Sequence, residues 1–258
     1  MYWKSYNSCF FTVINSLIKK SISTWAHISL QPANSFSSLE IRHFFDRINA
    51  LLSAILYVVG WIILLIFFNN CISLFTQDNH LIERLWIIFP SLFLIKIAIP
   101  SLSILYMTDD PVDPSLIVKV NSPQWFWAYE YTDFYPSGVK ASIDFDKYIL
   151  PENGLTATEF RLLETENRPV LPYSSMTQML ISRVDVLDSS TIPRLGVKAD
   201  ANPGRVNHVK LKPHNPGIFY GQCSEICGAN HSFIPICLEF TTPEVFIDWV
   251  ILNRESVD

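Results

Sequence analysis

Cysteine is scarce in this chain, with five in 258 residues at positions 9, 71, 223, 227 and 237. That is too few, too unevenly placed, for the disulfide framework of a small secreted protein. Acidic residues are missing from the first 39 positions, which carry Lys4, Lys19 and Lys20 among many Ser, Asn and aromatic residues, and no arginine. This stretch reads as a leader or targeting extension over residues 1–22 and an N-terminal segment over 23–47, with an ordinary amino-terminal tail as the alternative. From Tyr106 onward it is basic residues that are short, 12 against 20 acidic ones for a net of −8, while residues 1–105 hold 4 acidic and 7 basic for +3. An acidic field disfavours nucleic acid and suits a cationic partner, with an attraction that weakens as salt rises; an acidic face serving only solubility is the other reading. An apolar fraction of 49% together with a positive mean hydropathy of +0.23 points to a mixed membrane and soluble protein.

Two long apolar runs account for that fraction. Residues 48–68 are broken only by Asn49, Ser53 and Gly60, and at about 1.5 Å per helical residue such a run reaches about 30 Å, the thickness of a bilayer core. Residues 85–105 form a second run of equal length, bounded by Trp86 and Tyr106 as interfacial aromatics often are. Together they predict a two-helix transmembrane hairpin. Pro90 and Pro100 lie inside the second run, where neighbours in a membrane can satisfy the carbonyls they free. Lys96 falls near its middle, at a cost of about 2.5–3.5 kcal/mol on insertion scales, which predicts that it faces protein.

After residue 109 the period changes. SLIVKV, QWFWAYEY, TQMLISRVDVL, RVNHVKLK and PICLEFTT are short alternating or β-branched stretches separated by Pro, Gly, Asn and Asp, which predicts an all-β domain over 109–258. Trp125, Trp127, Tyr129 and Tyr131 share one face, a stripe that reads first as packing. Thr242 as N-cap, Pro243 in the first helical position and Glu244 in the first turn signal a C-terminal helix laid against the sheets. The fold class is therefore an α+β membrane protein, a helical hairpin followed by a β-barrel or sandwich.

The chemistry concentrates in GQCSEICGANHSF, where Cys223, Cys227 and His231 recur every four residues in a glycine-flanked loop. Three readings follow from the residues: a short disulfide, a zinc site completed by one more ligand, or copper held by a late loop of a β-sandwich. Cys237, on a predicted strand, reads as a small buried apolar residue.

From about Ser23 to the carboxyl end the chain resembles subunit II of the haem–copper cytochrome c oxidases, through ILYMTDDPVDPSLIVKV, QWFWAYEY, EFRLLETENRPVLP, IPRLGVKADANPGRVN and FYGQCSEICGANHSFIPI in order. The resemblance implies a cupredoxin-like domain in the mitochondrial intermembrane space, anchored in the inner membrane, or outside a bacterial plasma membrane. It implies a binuclear copper A centre that takes electrons from cytochrome c and passes them to the haem of subunit I, where oxygen is reduced to water with proton translocation. The bridging thiolates fall on Cys223 and Cys227, an imidazole on His231, and a backbone-carbonyl ligand on Glu225, whose side chain would also reach a magnesium at the subunit I interface. Trp125 matches the aromatic through which cytochrome c electrons enter. Glu83 matches the carboxylate at the mouth of a proton path. Glu130, Asp133, Asp146, Glu166 and Asp185 stand at or near positions that dock cytochrome c.

The pattern departs at two ligands. A histidine is replaced by Asp188 and an axial methionine by Ile234, while a tryptophan near the first is Ser190. Loss of a weak thioether perturbs a copper centre, whereas a carboxylate for an imidazole weakens its hold on reduced copper. An AUA codon read as methionine would account for Ile234 and not for Asp188. His208 and His214 align with non-ligand positions. Cys223, Cys227, His231 and Asp188 would make a complete tetrahedral zinc set, which keeps a non-redox structural subunit open as the alternative function.

Overall fold

The computed structural model describes residues 27–71, 78–109, 113–132, 134, 142–156 and 159–255. The expectations for residues 1–22, Cys9 and Asp133 lie outside them. The chain divides into two compact units, one of residues 40–110 and one of residues 1–39 with 111–258.

The helical unit holds most of α1 (Phe36–Phe68) and all of α2 (His80–Asp109). Both contain windows of high mean hydropathy, 2.7 and 2.0, with no residue of either window buried within the chain. Apolar side chains exposed on every face need an apolar solvent. α1 begins well before the apolar run at 48 because Ser35 caps it, its hydroxyl accepting the Ser38 amide at 3.0 Å. Hydropathy alone misses this stretch, where Glu40, Arg42, Asp46 and Arg47 ride on the helix. Asn79 caps α2, its side-chain oxygen accepting the amides of Leu81 and Ile82 at 3.2 and 3.3 Å. The helix continues through Pro90 and Pro100, and Lys96 is exposed within the chain.

The second unit is a sandwich of two five-stranded sheets. One has the order β3-β2-β1-β5-β8, with β1 Leu116–Asn121, β2 Trp127–Tyr131, β3 Ile143–Lys147, β5 Thr177–Ser182 and β8 Asn207–Leu211. The other has the order β4-β10-β9-β6-β7, with β4 Val170–Pro172, β6 Asp188–Ile192, β7 Val197–Ala201, β9 Gly217–Cys223 and β10 Pro235–Thr241. The β1–β5 and β4–β10 pairs are parallel and the rest antiparallel. Alternation sends Val118, Val120, Trp127, Tyr129, Tyr131, Met179 and Ile181 from the first sheet against Leu171, Ile192, Phe219, Ile236, Leu238 and Phe240 from the second. Three of the four aromatics of the stripe are thus core. α3 (Pro243–Glu255) closes this core with Phe246 and Val250, and Trp249 meets Tyr131 and Phe145 at centroid distances of 5.4 and 5.8 Å.

The segment leading into α1 is tied to the sandwich. The Asn34 amide donates to the Arg194 carbonyl at 3.1 Å, and the Ser35 hydroxyl to the Leu195 carbonyl at 2.6 Å. Gly196 makes the approach possible: at φ +66°, a Cβ there would stand 2.7 Å from Ser38 Cα.

Candidate metal centre

Several strands end at one point. Cys223 is the last residue of β9, Asp188 the first of β6, and Ile234 immediately precedes β10. The Ser224 amide bonds to the Ser189 carbonyl at 3.0 Å and the Cys223 amide to the Ile234 carbonyl at 3.2 Å, so the loop leaves the sheet in a fixed direction. His231 is then placed by a turn, its amide donating to the Gly228 carbonyl at 3.2 Å.

This brings together the residues that the spacing singled out. Cys223 Sγ and Cys227 Sγ are 3.8 Å apart, and Cys227 Sγ lies 3.5 Å from His231 Nδ1. The three ligand atoms all fall within 4.8 Å of one another, the cysteines buried and the histidine half-buried. Both thiols are free, so the short-disulfide reading does not hold; a disulfide needs about 2.05 Å. The Glu225 carbonyl faces the cluster, accepting from Cys223 Sγ at 3.1 Å, while the Glu225 residue is exposed. Burial pushes the Cys223 thiol up to about 12, with the Asp188 hydrogen bond adding to the rise. Burial also raises Cys227, and the Arg183 guanidinium beside it opposes that shift. A metal ion would have to displace both protons.

Trp125 lies against this loop. A Cβ on Gly228, whose φ is +129°, would sit 3.1 Å from the indole Nε1, so only glycine allows the ring to pack there. His208 lies on β8 opposite Leu180, and the His214 amide bonds to the Asn34 carbonyl at 2.9 Å; neither joins the cluster. Glu83 is half-buried in the first turn of α2, 3.3 Å from His80. Glu130 pairs with Lys119 at 2.9 Å, while Asp146, Glu166 and Asp185 are exposed.

Asp188 is fully buried and does not join the group of mutually close ligand atoms. Its carboxylate is taken up by three side chains: an ion pair with Arg183, and hydrogen bonds from the Ser122 hydroxyl and from Cys223 Sγ. The Ser189 amide adds a fourth contact at 3.2 Å. Arg183 was missed from the sequence, although a signal exists. Thr177, Met179 and Ile181 point inward along β5, and Arg183 continues that parity just past the strand. A charge at an inward position demands a counter-charge nearby.

Fold and cluster define the class: a cupredoxin-like sandwich carried on two membrane-length helices, with a thiolate–imidazole loop at one end of the sheets. The family model described as "Cytochrome C oxidase subunit II, periplasmic domain" matches residues 116–241, and the one described as "Cytochrome C oxidase subunit II, transmembrane domain" matches residues 23–104. Cytochrome c oxidase subunit 2 of Drosophila simulans is 43% identical over 233 residues, covering 90% of this chain and 100% of that one. The Drosophila bifasciata protein is 44% identical over 235 residues, 91% of this chain and 100% of that one. Among solved structures, the periplasmic domain of subunit II of cytochrome oxidase (CoxB) of Bradyrhizobium japonicum superposes with a TM-score of 0.50 at 32% identity, over 56% of this chain and 97% of that one. The chain belongs to the cytochrome c oxidase subunit II family.

The cluster is compatible with the thiolate–imidazole part of a copper A centre. As donors, Cys223, Cys227, His231 and the Glu225 carbonyl fit one soft or borderline metal ion. They do not complete two. Asp188 is engaged by Arg183 and Ser122, and Ile234 is a buried hydrocarbon with nothing to donate.

Proposed function

We propose that this chain is the cytochrome-c-facing subunit of a cytochrome c oxidase in the mitochondrial inner membrane. Its β-domain would lie in the intermembrane space and seat on subunit I. The observation that carries the reading is Trp125 packed on Gly228 of the loop that gathers Cys223, Cys227 and His231. An aromatic ring in van der Waals contact with a metal-binding loop gives electrons from a docked donor a short path inward.

Copper, when bound, would supply a one-electron couple. The residues of the chain do the rest. Cys223 and Cys227 offer charge-donating sulfur from a buried position, His231 presents Nδ1, and the Glu225 carbonyl closes the near side. Glu130, Asp146, Glu166 and Asp185, with Asp133, would steer the basic face of cytochrome c to the Trp125 side. Glu83 would gather protons at the start of α2, and the exposed Glu225 side chain would reach a magnesium ion shared with subunit I. Lys96 would meet a carboxylate of another subunit within the bilayer.

Copper content and cytochrome c turnover of the assembled complex test this. The complex should carry copper in the β-domain, lose it with Cys227→Ser, and oxidise cytochrome c with a KM that rises when the docking acids are neutralised together. The single four-donor set favours a second reading, a structural subunit with zinc on Cys223, Cys227 and His231, the Glu225 carbonyl standing in for the Asp188 that Arg183 engages. A complex that carries zinc and no copper in this domain would replace the first reading by the second.

A further inference from the structure

We propose that the Arg183 guanidinium stands where a second metal ion would otherwise lie, so that this centre takes one soft metal and not two. The proposal rests on the reading that the cysteine loop binds metal, and concerns how many ions it can hold.

Position comes first. Arg183 and Ser122 continue the inward rows of two adjacent parallel strands, in register as Val118 with Met179 and Val120 with Ile181. Both therefore project between the sheets at the end of the sandwich where β6 starts and β9 stops. The Arg183 side chain is completely buried. It pairs with Asp188 and lies against Cys227, while Asp188 in turn contacts Cys223. A cation is thus already held between a carboxylate and a cysteine of the loop.

Donor count comes next. One ion at the cluster would have two thiolates, one imidazole and the Glu225 carbonyl, a full four-coordinate set. Among the described residues a second ion would have only shared sulfur, because Asp188 already carries Arg183, Ser122 and the Ser189 amide, and Ile234 offers no donor. Charge points the same way. Two thiolates and Asp188 bring three negative charges, which one guanidinium and one divalent ion neutralise within the buried site. Among the described residues Arg183 Nε and Nη2 have no hydrogen-bond partner, and thiolate sulfur formed on metal binding would give such donors an acceptor.

Metal counting on the full-length chain in detergent decides the matter. The protein is loaded with excess copper, or in a separate arm with excess zinc, and freed of unbound ion. The expected metal-to-protein ratio is about one for either ion. The copper form should show the hyperfine pattern of a single copper nucleus, not that of an electron shared by two. The charge-free pair Arg183→Gln with Asp188→Asn should keep that ratio, since neither side chain is a ligand. Arg183→Ser with Asp188→His should raise the copper ratio to about two, by emptying the cation position and supplying an imidazole.

A ratio of about two for the unaltered chain overturns this proposal and leaves the metal-binding reading intact. Loss of binding by the Gln/Asn pair overturns it by making Asp188 a ligand. No binding of either metal by the unaltered chain defeats both readings. Should the Ser/His variant not fold, the ratio of the unaltered chain and that of the Gln/Asn pair still decide.

Discussion

Among the described residues of the sandwich, two arginines pair with a buried carboxylate, and the pairs are built differently. On the outer face of the second sheet, Glu164 accepts from Arg168 Nε at 2.7 Å, from the Tyr220 hydroxyl at 3.1 Å and from Cys237 Sγ at 3.3 Å. Arg168 is 24% exposed and also approaches Glu159 and Glu239 at 4.0 and 3.9 Å. At the end of the sandwich, Arg183 is shut in completely with Asp188, and two of its donors have no hydrogen-bond partner among the described residues. The first pair is a shared carboxylate that clamps residues 159–168 onto β9 and β10. The second is set among thiols that could become anions. A buried ion pair is costly in itself and persists where its surroundings supply further partners. Glu164 has them in the folded chain, whereas Arg183 has its carboxylate and only part of a set among the described residues.

Replacing each arginine in turn has the largest expected effect. Without metal, Arg183→Met leaves Asp188 buried with two hydroxyl or thiol donors and no cation, and should lower unfolding stability by about 3–5 kcal/mol. Arg168→Met leaves Glu164 with Tyr220 and Cys237 and a route to solvent, for a loss of about 2 kcal/mol. Denaturant midpoints of the two variants give the difference. Equal losses would mean that the burial of Arg183 carries no special weight.

The unevenness of what the sequence reveals follows the same line. Cys223, Cys227 and His231 were legible because one short loop carries all three, and local spacing survives folding. The sandwich and α3 were legible through alternation and capping residues. Arg183 was not, because its partner sits five residues on, across a turn whose direction only the sheets decide, and because SRVDVL reads as one strand when β5 stops at Ser182. β6 escaped for the opposite reason: Asp-Ser-Ser has little strand character, yet pairing with β7 and β9 makes it a strand. The aromatic string reads as one stripe, but the chain turns between Pro123 and Phe126, with a 3.2 Å amide-to-carbonyl bond, so Trp127 is buried in the core while Trp125 packs half-buried against it. Cys237 reads as a small apolar filler; it is buried, but its thiol also serves Glu164.

A smaller change sharpens the contrast by touching the loop alone. Gly228→Ala places a methyl group 3.1 Å from Trp125 Nε1 at a φ of +129°. The loop or the indole must move, at a cost of about 2 kcal/mol. Tryptophan emission should shift and metal affinity fall, while the Glu164 clamp keeps its protection in hydrogen exchange. A loss of protection at residues 159–168 would show that the two regions are not independent.

A buried lysine without a direct carboxylate partner among the described residues tests what an arginine gains from one. Lys147 is shut in on β3 with its Nζ 3.7 Å from the Phe145 ring centroid, and burial pushes its pKa down to about 8 against the pull of Asp146 and Glu166. In the unfolded chain the same lysine keeps its proton to about 10.4. Between these values the unfolded state binds more protons than the folded one, so this residue makes stability rise with pH there, and its penalty is greatest below pH 8. The buried thiols and tyrosines have raised pKa values and act in the opposite direction, but a pair of proteins differing only at Lys147 shares them. Lys147→Met should therefore gain stability relative to the unaltered chain near neutral pH, and that gain should narrow by about 1 kcal/mol from about pH 7 to about pH 9. A gain that stays constant over this range would show that Lys147 keeps its proton in the fold, held by Asp146 and Glu166 as firmly as Arg168 is by Glu164.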